Sequence, residues 1–220
     1  MIVCSLNEIE AYGRRAARGA GMSWGLAEEA GKAARWLSAR GLPGVELLLR
    51  LLTANDGRPY ESMAPAVDAH RWESPDGGLC PVCCGAALSD RIADLVPGED
   101  LVLNALAYPL LLASFLDHPQ YPRNGSYALR WPDFRMWVSA QGVELEYEEA
   151  SVLYRERADE AELSVDTRRQ FNPTHYPRIA GVDVQIPIWH ALNDLGKRTY
   201  VPASAESRAR GAGAGRADND

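Results

Sequence analysis

The sequence of 220 residues is long enough to bury a hydrophobic core. A hydrophobic fraction of 46% and a charged fraction of 24% are typical of globular proteins and argue against a disordered body. The net charge is −7, and residues 61–170 alone carry 19 acidic and 9 basic side chains, so the composition predicts neither nucleic-acid binding nor attachment to an anionic membrane.

About three helices are predicted in the first part of the chain. Ser5 followed by Glu8 forms a capping box, which predicts a helix that begins directly after Ser5 and ends at the glycines of 19–21. A second helix is predicted over about 23–40, and a third is predicted to open at Pro43. The apolar stripe of the first helix consists of Leu6, Ile9, Tyr12 or Gly13, Ala16 and Ala17.

The next part of the chain is predicted to be mixed. Residues 53–78 are rich in Pro, Gly and Asp and are predicted to be irregular, and a short helix is predicted over 85–95. The run 101–107 is typical of a buried strand, and 109–116 of a helix or a continuation of that strand. This apolar run is too short to span a bilayer, and we expect it in the core.

The hydrophobic period then changes to two, which predicts an antiparallel meander sheet over about 126–166. One face of this sheet carries mostly glutamates and is expected to face solvent. The residues 158–161 are predicted to form a turn between two strands. The predicted strand segments are 127–131, 134–138, 143–147, 152–154 and 163–165.

A C-terminal helix is indicated by apolar residues that recur at helical spacing before Gly196. A loop-rich tail that we expect to be ordered follows this helix. The recurring residues are Ile186, Trp189, Leu192 and Leu195.

The order of these elements predicts an α+β fold, because runs of helices and runs of strands are kept apart. We expect a single domain over 1–220, with a helical part at 1–120, a sheet part at 121–184, and a C-terminal helix with the tail at 185–220. Glu8 interrupts the start of the sequence before an apolar signal segment can form, so we expect a cytoplasmic protein.

Three of the four cysteines lie in the segment G78-L-C-P-V-C-C-G85. Cys80 and Cys83 have the spacing with which two thiolates share one zinc ion, but a tetrahedral site needs two more ligands and no second such pair exists. Three interpretations stay open: a zinc site completed by Cys84, Cys4 or distant histidines, a reactive thiol at a helix N-terminus, and burial of small residues by packing. Packing is favoured, so no metal and no cofactor is predicted.

The start of the second helix is a candidate site. G21-M-S-W-G25 has the G-x-S-x-G pattern of a nucleophile elbow, but an elbow needs a preceding strand, and the segment before Ser23 is predicted to be helical. Ser23 is therefore interpreted first as a helix N-cap. Glu29 falls at the border of the apolar face and needs a partner, which we expect among Arg14, Arg15 and Arg18 of the first helix.

Two interpretations of this region stay open. A polar pocket at the helix start could hold a carboxylate or a phosphate with free N–H groups and arginine. The favoured alternative is a structural salt bridge between Glu29 and an arginine, with a glycine turn between the helices.

The letters A-R-G-A-G occur at 17–21 and again at 209–213. Alternating Gly and Ala permits a close approach of the backbone, as a loop that holds an anion requires. No strand leads into the second copy, so dinucleotide binding is not predicted. The tail concentrates hydroxyl, guanidinium and carboxylate groups, and the alternative is that it is flexible.

The segments S5-L-N-E-I-E, A17 to L37 and T199-Y-V-P-A-S-A-E-S-R to D220 resemble an uncharacterised bacterial family, a domain of unknown function. The resemblance covers essentially the whole chain and is strongest at its two ends. It implies a bacterial, stand-alone protein of about this length. It implies no activity, cofactor or catalytic residue.

The leading hypothesis is a cytoplasmic enzyme or enzyme subunit that acts on a small anionic metabolite in a pocket where the first and last segments of the sequence meet. The first alternative is a non-enzymatic accessory or structural subunit, or a homo-oligomer. A weaker alternative is a zinc-stabilised domain. The predicted substrate-binding residues are Arg18, Ser23, Ser204, Ser207 and Arg208, and the predicted general acid or base is Glu29 or Asp218.

Overall fold

The structure is a computed structural model, and it describes residues 1–68, 70–117, 125–169, 179 and 181–200. It has the predicted α+β fold, in which helices in the N-terminal part are followed by a sheet. The helices are α1 (Leu6–Gly19), α2 (Trp24–Ser38), α3 (Gly44–Ala54), α4 (Tyr60–Met63), α5 (Pro81–Ser89) and α6 (Ile186–Lys197). Short 3₁₀ helices cover Ile92–Asp94, Pro109–Leu116 and Ala150–Tyr154.

The strands form two sheets. They are β1 (Ile2–Cys4), β2 (Arg71–Trp72), β3 (Leu101–Ala107), β4 (Ser126–Trp131), β5 (Phe134–Ser139), β6 (Gly142–Tyr147), β7 (Arg157–Asp166) and β8 (Val182–Val184). β1 and β8 pair antiparallel, and the other strands form a sheet in the order β2-β3-β7-β4-β5-β6. Only β2 and β3 are parallel neighbours among these described strands.

The predicted meander is confirmed for β4, β5 and β6 but is wrong after them. Residues 152–154 belong to a 3₁₀ helix, and residues 158–161 lie inside β7 rather than in a turn. β7 returns across the sheet and pairs with both β3 and β4. Ala158 and Ala161 are buried in this central strand, although alanine and acidic residues are uncommon in strands.

The helix predicted over 85–95 begins earlier, at Pro81. Proline is favoured at the first helical position, because its fixed φ suits a helix and its missing N–H would have no partner there. The consequence is that Cys80 is the N-cap of α5 and that Cys83 and Cys84 lie in its first turn.

The capping box predicted at the start of α1 is confirmed. The Ser5 N–H donates to Glu8 Oε2 at 2.8 Å, and the Glu8 N–H donates to Ser5 Oγ at 3.2 Å. The Ser5 hydroxyl also donates to Glu8 Oε2 at 2.8 Å. The two hydrogen bonds that the carboxylate accepts, first that from the Ser5 N–H and then that from the Ser5 hydroxyl, hold the pKa of the Glu8 carboxyl below its ordinary value.

We expect the stability contribution of Glu8 to depend on pH. Since its pKa is lowered in the folded state, the contribution is fully present above the ordinary glutamate pKa and is lost as the pH falls through the lowered value. Glu8→Gln keeps an acceptor for Ser5 but cannot ionise. The melting temperature of the natural chain should therefore exceed that of the variant at neutral pH, and the difference should shrink towards about pH 2. A difference that stays constant over this range would contradict the assignment.

Candidate functional site

A small cavity lies where the turn between α1 and α2 meets the segment after α3 and the first turn of α5. Its volume is about 30 Å³, which is enough for one or two water molecules or for one small group of a ligand. The lining residues with a polar group or a thiol on the side chain are Ser23, Asn55, Arg58, Tyr60 and Cys83.

One wall of the cavity is the turn between α1 and α2, and the local sequence determines its shape. α1 ends in a Schellman motif, in which the Met22 N–H donates to the Ala17 carbonyl and the Gly21 N–H donates to the Arg18 carbonyl, each at 3.0 Å. Gly21 has a φ of 99°, which favours glycine because a Cβ would strain the backbone there.

Ser23 is the N-cap of α2, as predicted. Its Oγ accepts a hydrogen bond from the Leu26 N–H at 3.4 Å. The segment before it is a helix and a turn, so the G-x-S-x-G letters do not form a nucleophile elbow. Ser23 is exposed and lies in the cavity wall, and its role in substrate binding stays a prediction.

Arg18 supports the turn instead of lining the cavity. Its guanidinium carbon lies 4.6 Å from the centre of the Trp24 ring, and its Nη1 donates to the Met22 carbonyl. Both contacts are local, so they hold the side chain along the outside of the turn. The predicted contact between Arg18 and a negative group of a substrate stays a prediction.

The expected salt bridge between Glu29 and an arginine of α1 is wrong. Glu29 Oε1 accepts from Lys32 Nζ at 2.7 Å, one turn further along the same helix. The ion pair that does join α1 to α2 is formed by Arg35 Nη1 and Glu10 Oε2 at 2.9 Å. Glu29 is not among the residues that line the cavity. Its role as a general acid or base stays a prediction.

The other predicted site residues, Ser204, Ser207, Arg208 and Asp218, lie outside the described residues. The last described residues nevertheless contact a residue next to the cavity wall. α6 packs along α1, and Arg15 Nη1 donates to the Tyr200 hydroxyl at 2.8 Å. Arg198 Nη1 forms an ion pair with Asp56 Oδ1 at 2.7 Å, directly beside Asn55 of the cavity wall.

Asn55, Arg58 and Tyr60 are the polar cavity residues that the sequence analysis missed. Asn55 is 9% exposed, and its Nδ2 has no hydrogen-bond acceptor among the described residues. Its Oδ1 accepts from Arg58 Nη1 at 3.3 Å, and Arg58 Nη2 lies 3.6 Å from Asp76 Oδ2. The sequence signal that could have identified the first two was an Asn and an Arg within four residues of the end of a buried helix. They lie in a segment that was predicted only to be irregular.

The cysteines of α5 are buried next to this cavity. The pKa of the Cys80 thiol is lowered, because its sulfur accepts hydrogen bonds from the Cys83 thiol and from the N–H groups of Cys83 and Val82, with the charge of Arg58 nearby. The pKa of Cys83 is raised by the same thiol–thiol hydrogen bond and by burial, and burial also raises the pKa of Cys84.

The geometry required for zinc does not form in the described part of the chain. No group of three or more His, Cys, Asp or Glu side chains placed to hold a metal ion occurs there. His70 and His190 lie in the described part, whereas His118 and His175 do not.

A second depression is a wide groove of about 1500 Å³, lined by residues of β4, β5, β6 and β7 of the large sheet. Most of its arginines are already in ion pairs: Arg130 Nη2 lies 2.8 Å from Asp100 Oδ2, and Arg155 Nη2 lies 3.8 Å from Asp133 Oδ2. Arg58 of the smaller cavity is also near a carboxylate, so ion pairing alone does not separate the two sites. The smaller cavity is the more enclosed, and it is lined by the buried Asn55 amide, whose Nδ2 has no acceptor among the described residues, so we take it as the candidate functional site.

Within the described ranges, no helix has the length and the apolar character needed to cross a membrane. No curated protein and no solved structure matches the chain. Residues 4–74, which include α1, α2, α3 and most of the cavity wall, match a family described as "Protein of unknown function (DUF3726)", and this confirms over that segment the resemblance to a family of unknown function.

Proposed function

We propose that this chain binds the carboxylate group of a small anionic metabolite in the cavity beside Ser23, as an enzyme or as a subunit of one. The observation that carries the proposal is the buried Asn55 amide, whose Nδ2 has no acceptor within the described part of the chain. A buried donor without an acceptor costs about 1–3 kcal/mol, and a ligand oxygen in the cavity removes this cost.

Charge and size favour a carboxylate as the bound group. Arg58 lines the cavity and places a guanidinium beside Asn55, so two types of N–H donor converge there. A volume of about 30 Å³ suits a flat group with two oxygens better than a tetrahedral phosphate with four. The rest of the metabolite lies outside the cavity in this proposal.

The contacts of α6 support a contribution from the segment after Tyr200. The ion pair of Arg198 with Asp56 brings the chain next to the cavity wall just before that segment begins. In the proposal, the rest of the metabolite is bound by the groups that the sequence predicts there. These groups are Ser204, Ser207 and Arg208, with Asp218 as the general acid or base.

Acetate tests the carboxylate site. We expect acetate at ten times its dissociation constant to stabilise the natural chain by about 1.4 kcal/mol relative to chloride at equal ionic strength. Arg58→Gln should weaken acetate binding at least about tenfold, because a hydrogen bond to a charged group contributes about 1.5–3 kcal/mol. Melting temperatures measured against acetate concentration give both values.

The matched control is Arg135→Gln, which removes an exposed arginine of β5 outside the cavity. This variant should bind acetate as the natural chain does. Equal binding by both variants would place the anion elsewhere. Stabilisation by inorganic phosphate but not by acetate would contradict the carboxylate assignment.

A non-enzymatic subunit of a complex is the second candidate function. One observation favours it: the apolar residues Ile2, Val3 and Ile186 on and next to the β1–β8 sheet are 39%, 71% and 45% exposed. In this candidate, a second protein chain covers that patch. Sedimentation of the purified chain with and without Val3→Asp distinguishes the two, because only a self-associating or partner-bound chain changes its mass.

A further inference from the structure

The hydrogen-bonding groups that the cavity beside Ser23 offers to a ligand are mainly donors. Asn55 Nδ2 has no acceptor among the described residues, whereas Asn55 Oδ1 already accepts from Arg58 Nη1 at 3.3 Å. A guanidinium only donates, so Arg58 offers no acceptor either. The described residues that line the cavity include no aspartate and no glutamate. A ligand group in the cavity therefore meets an excess of donors and needs oxygen atoms that accept.

Ser23 adds one more donor on the exposed side of the cavity. Its Oγ accepts from the Leu26 N–H at 3.4 Å, and no described residue accepts the hydroxyl hydrogen in return. A serine hydroxyl can accept and donate at the same time. Ser23 is exposed, whereas Asn55 is buried, so the serine lies nearer to solvent than the amide does. The cavity thus offers a donor for a carboxylate at Asn55 and another, at Ser23, for an oxygen atom closer to the surface.

The size of the cavity limits where this further oxygen lies on the ligand. A volume of about 30 Å³ holds one or two water molecules, so a carboxylate occupies most of it. An oxygen that accepts from Ser23 is then bonded to the carbon next to the carboxylate, because an oxygen further along the ligand would lie outside the cavity.

The chemical type of this oxygen follows from the same donors. A ketone oxygen has lone pairs and no hydrogen, so it accepts from the Ser23 hydroxyl and needs no partner of its own. A ligand hydroxyl carries a hydrogen that needs an acceptor, and the groups of Asn55 and Arg58 that face a ligand offer none. A carboxylate with a neighbouring ketone is also flat, which suits a small cavity. The donors therefore favour a 2-oxo acid over a 2-hydroxy acid.

We propose that the anionic metabolite of this chain is a 2-oxo acid, whose carboxylate contacts Asn55 and Arg58 and whose ketone oxygen accepts a hydrogen bond from Ser23. The inference rests on the proposed function, since it needs the carboxylate site, and it adds the class of substrate. Ser23 becomes the residue that distinguishes a 2-oxo acid from other carboxylic acids.

Pyruvate, lactate and propionate test the inference, because they share three carbons and a carboxylate and differ only at the carbon next to it. Melting temperatures of the full chain are measured at pH 7 against the concentration of each anion, relative to chloride at equal ionic strength. Pyruvate should bind about threefold to tenfold more tightly than propionate, as expected for one additional hydrogen bond. Lactate should bind more weakly than pyruvate, because its hydroxyl hydrogen finds no acceptor at Asn55 or Arg58.

Variants of Ser23 test which residue recognises the ketone. Ser23→Ala should bind pyruvate no more tightly than propionate and should bind propionate as the natural chain does. Ser23→Thr keeps a hydroxyl and an N-cap, so it should retain the preference for pyruvate. Ser5→Ala is the matched control, because Ser5 is the N-cap of α1 and does not line the cavity. This variant also loses a cap but should keep the preference of the natural chain.

The possible outcomes separate this inference from the proposed function. If acetate and propionate bind but pyruvate binds no more tightly than propionate, only the 2-oxo acid is overturned. Lactate that binds as tightly as pyruvate, or a preference for pyruvate that persists in Ser23→Ala, also overturns it. If none of these anions binds, the carboxylate site itself is wrong and both proposals fail. The natural chain alone decides the substrate class, even if Ser23→Ala does not fold.

Discussion

Gly19→Ala is expected to lower the free energy of unfolding by about 3 kcal/mol or more, among the largest effects of any one-methyl substitution in this chain. A Cβ at residue 19 would lie 1.8 Å from the carbonyl oxygen of Leu195 and 2.6 Å from its carbonyl carbon. These are backbone atoms of α6, so no side-chain rotation can relieve the overlap. α6 must move away from α1, and the contact of Arg15 with Tyr200 is lost with it.

Gly25→Ala is the matched control for this prediction. Gly25 also lies in a helix, but a Cβ there meets no atom within 4 Å. This variant should change the stability by less than about 0.5 kcal/mol or raise it slightly, since alanine is the better helix former. Denaturant titrations of the two variants give the comparison, and equal midpoints would mean that α1 and α6 are not in close contact.

The Gly19 contact explains part of the A-R-G-A-G pattern at 17–21. Gly19 permits the helix contact and Gly21 forms the turn with positive φ, so both glycines have a structural cause without any ligand. The sequence interpretation of a glycine turn between two helices is therefore supported for the first copy. The second copy, at 209–213, lies outside the described residues.

Local signals in the sequence predicted most of the helices. Ser5, Ser23 and Pro43 stand at the starts of α1, α2 and α3, because a cap or an N-terminal proline acts within one helical turn. The position of β7 could not be predicted in the same way. Its neighbours β3 and β4 are set by long-range pairing, and the alternation of a single strand does not identify its partners.

The candidate site was predicted only where a local rule applied. Ser23 was recognised because an N-cap can be identified from its own sequence. Asn55 and Arg58 became significant only through the tertiary structure, which buries the amide and brings it next to Cys83 of a different helix. A polar residue after a helix is ordinary in a sequence, and only its burial without an acceptor distinguishes this one.

The contact between α1 and α3 gives the second large prediction. Sequence periodicity left open whether Tyr12 or Gly13 faces the core, and the structure buries Gly13. A Cβ at residue 13 would lie 2.9 Å from Leu48 Cδ2, so the leucine fills the space that glycine leaves. Leu48 is 0% exposed, and Leu48→Ala should cost about 3 kcal/mol.

A double-mutant cycle tests whether these two residues fit each other. Gly13→Ala alone should cost about 1–2 kcal/mol, because the overlap with Leu48 exceeds the gain in helix propensity. With Leu48→Ala the added methyl gains space, so the double variant should be more stable than the sum of the single effects by about 1 kcal/mol. The approach of 3.3 Å to Gly31 Cα remains and prevents full compensation.

The control for this cycle pairs Leu48→Ala with Gly25→Ala, whose added methyl has no neighbour within 4 Å and so does not contact Leu48. Those two changes should be additive within about 0.5 kcal/mol in urea denaturation. If the Gly13 pair is equally additive, the Leu48 side chain does not limit the approach of α3 to α1. Coupling confined to the Gly13 pair means that the glycine determines how closely α3 packs on α1, and α3 ends at the Asn55 wall of the cavity.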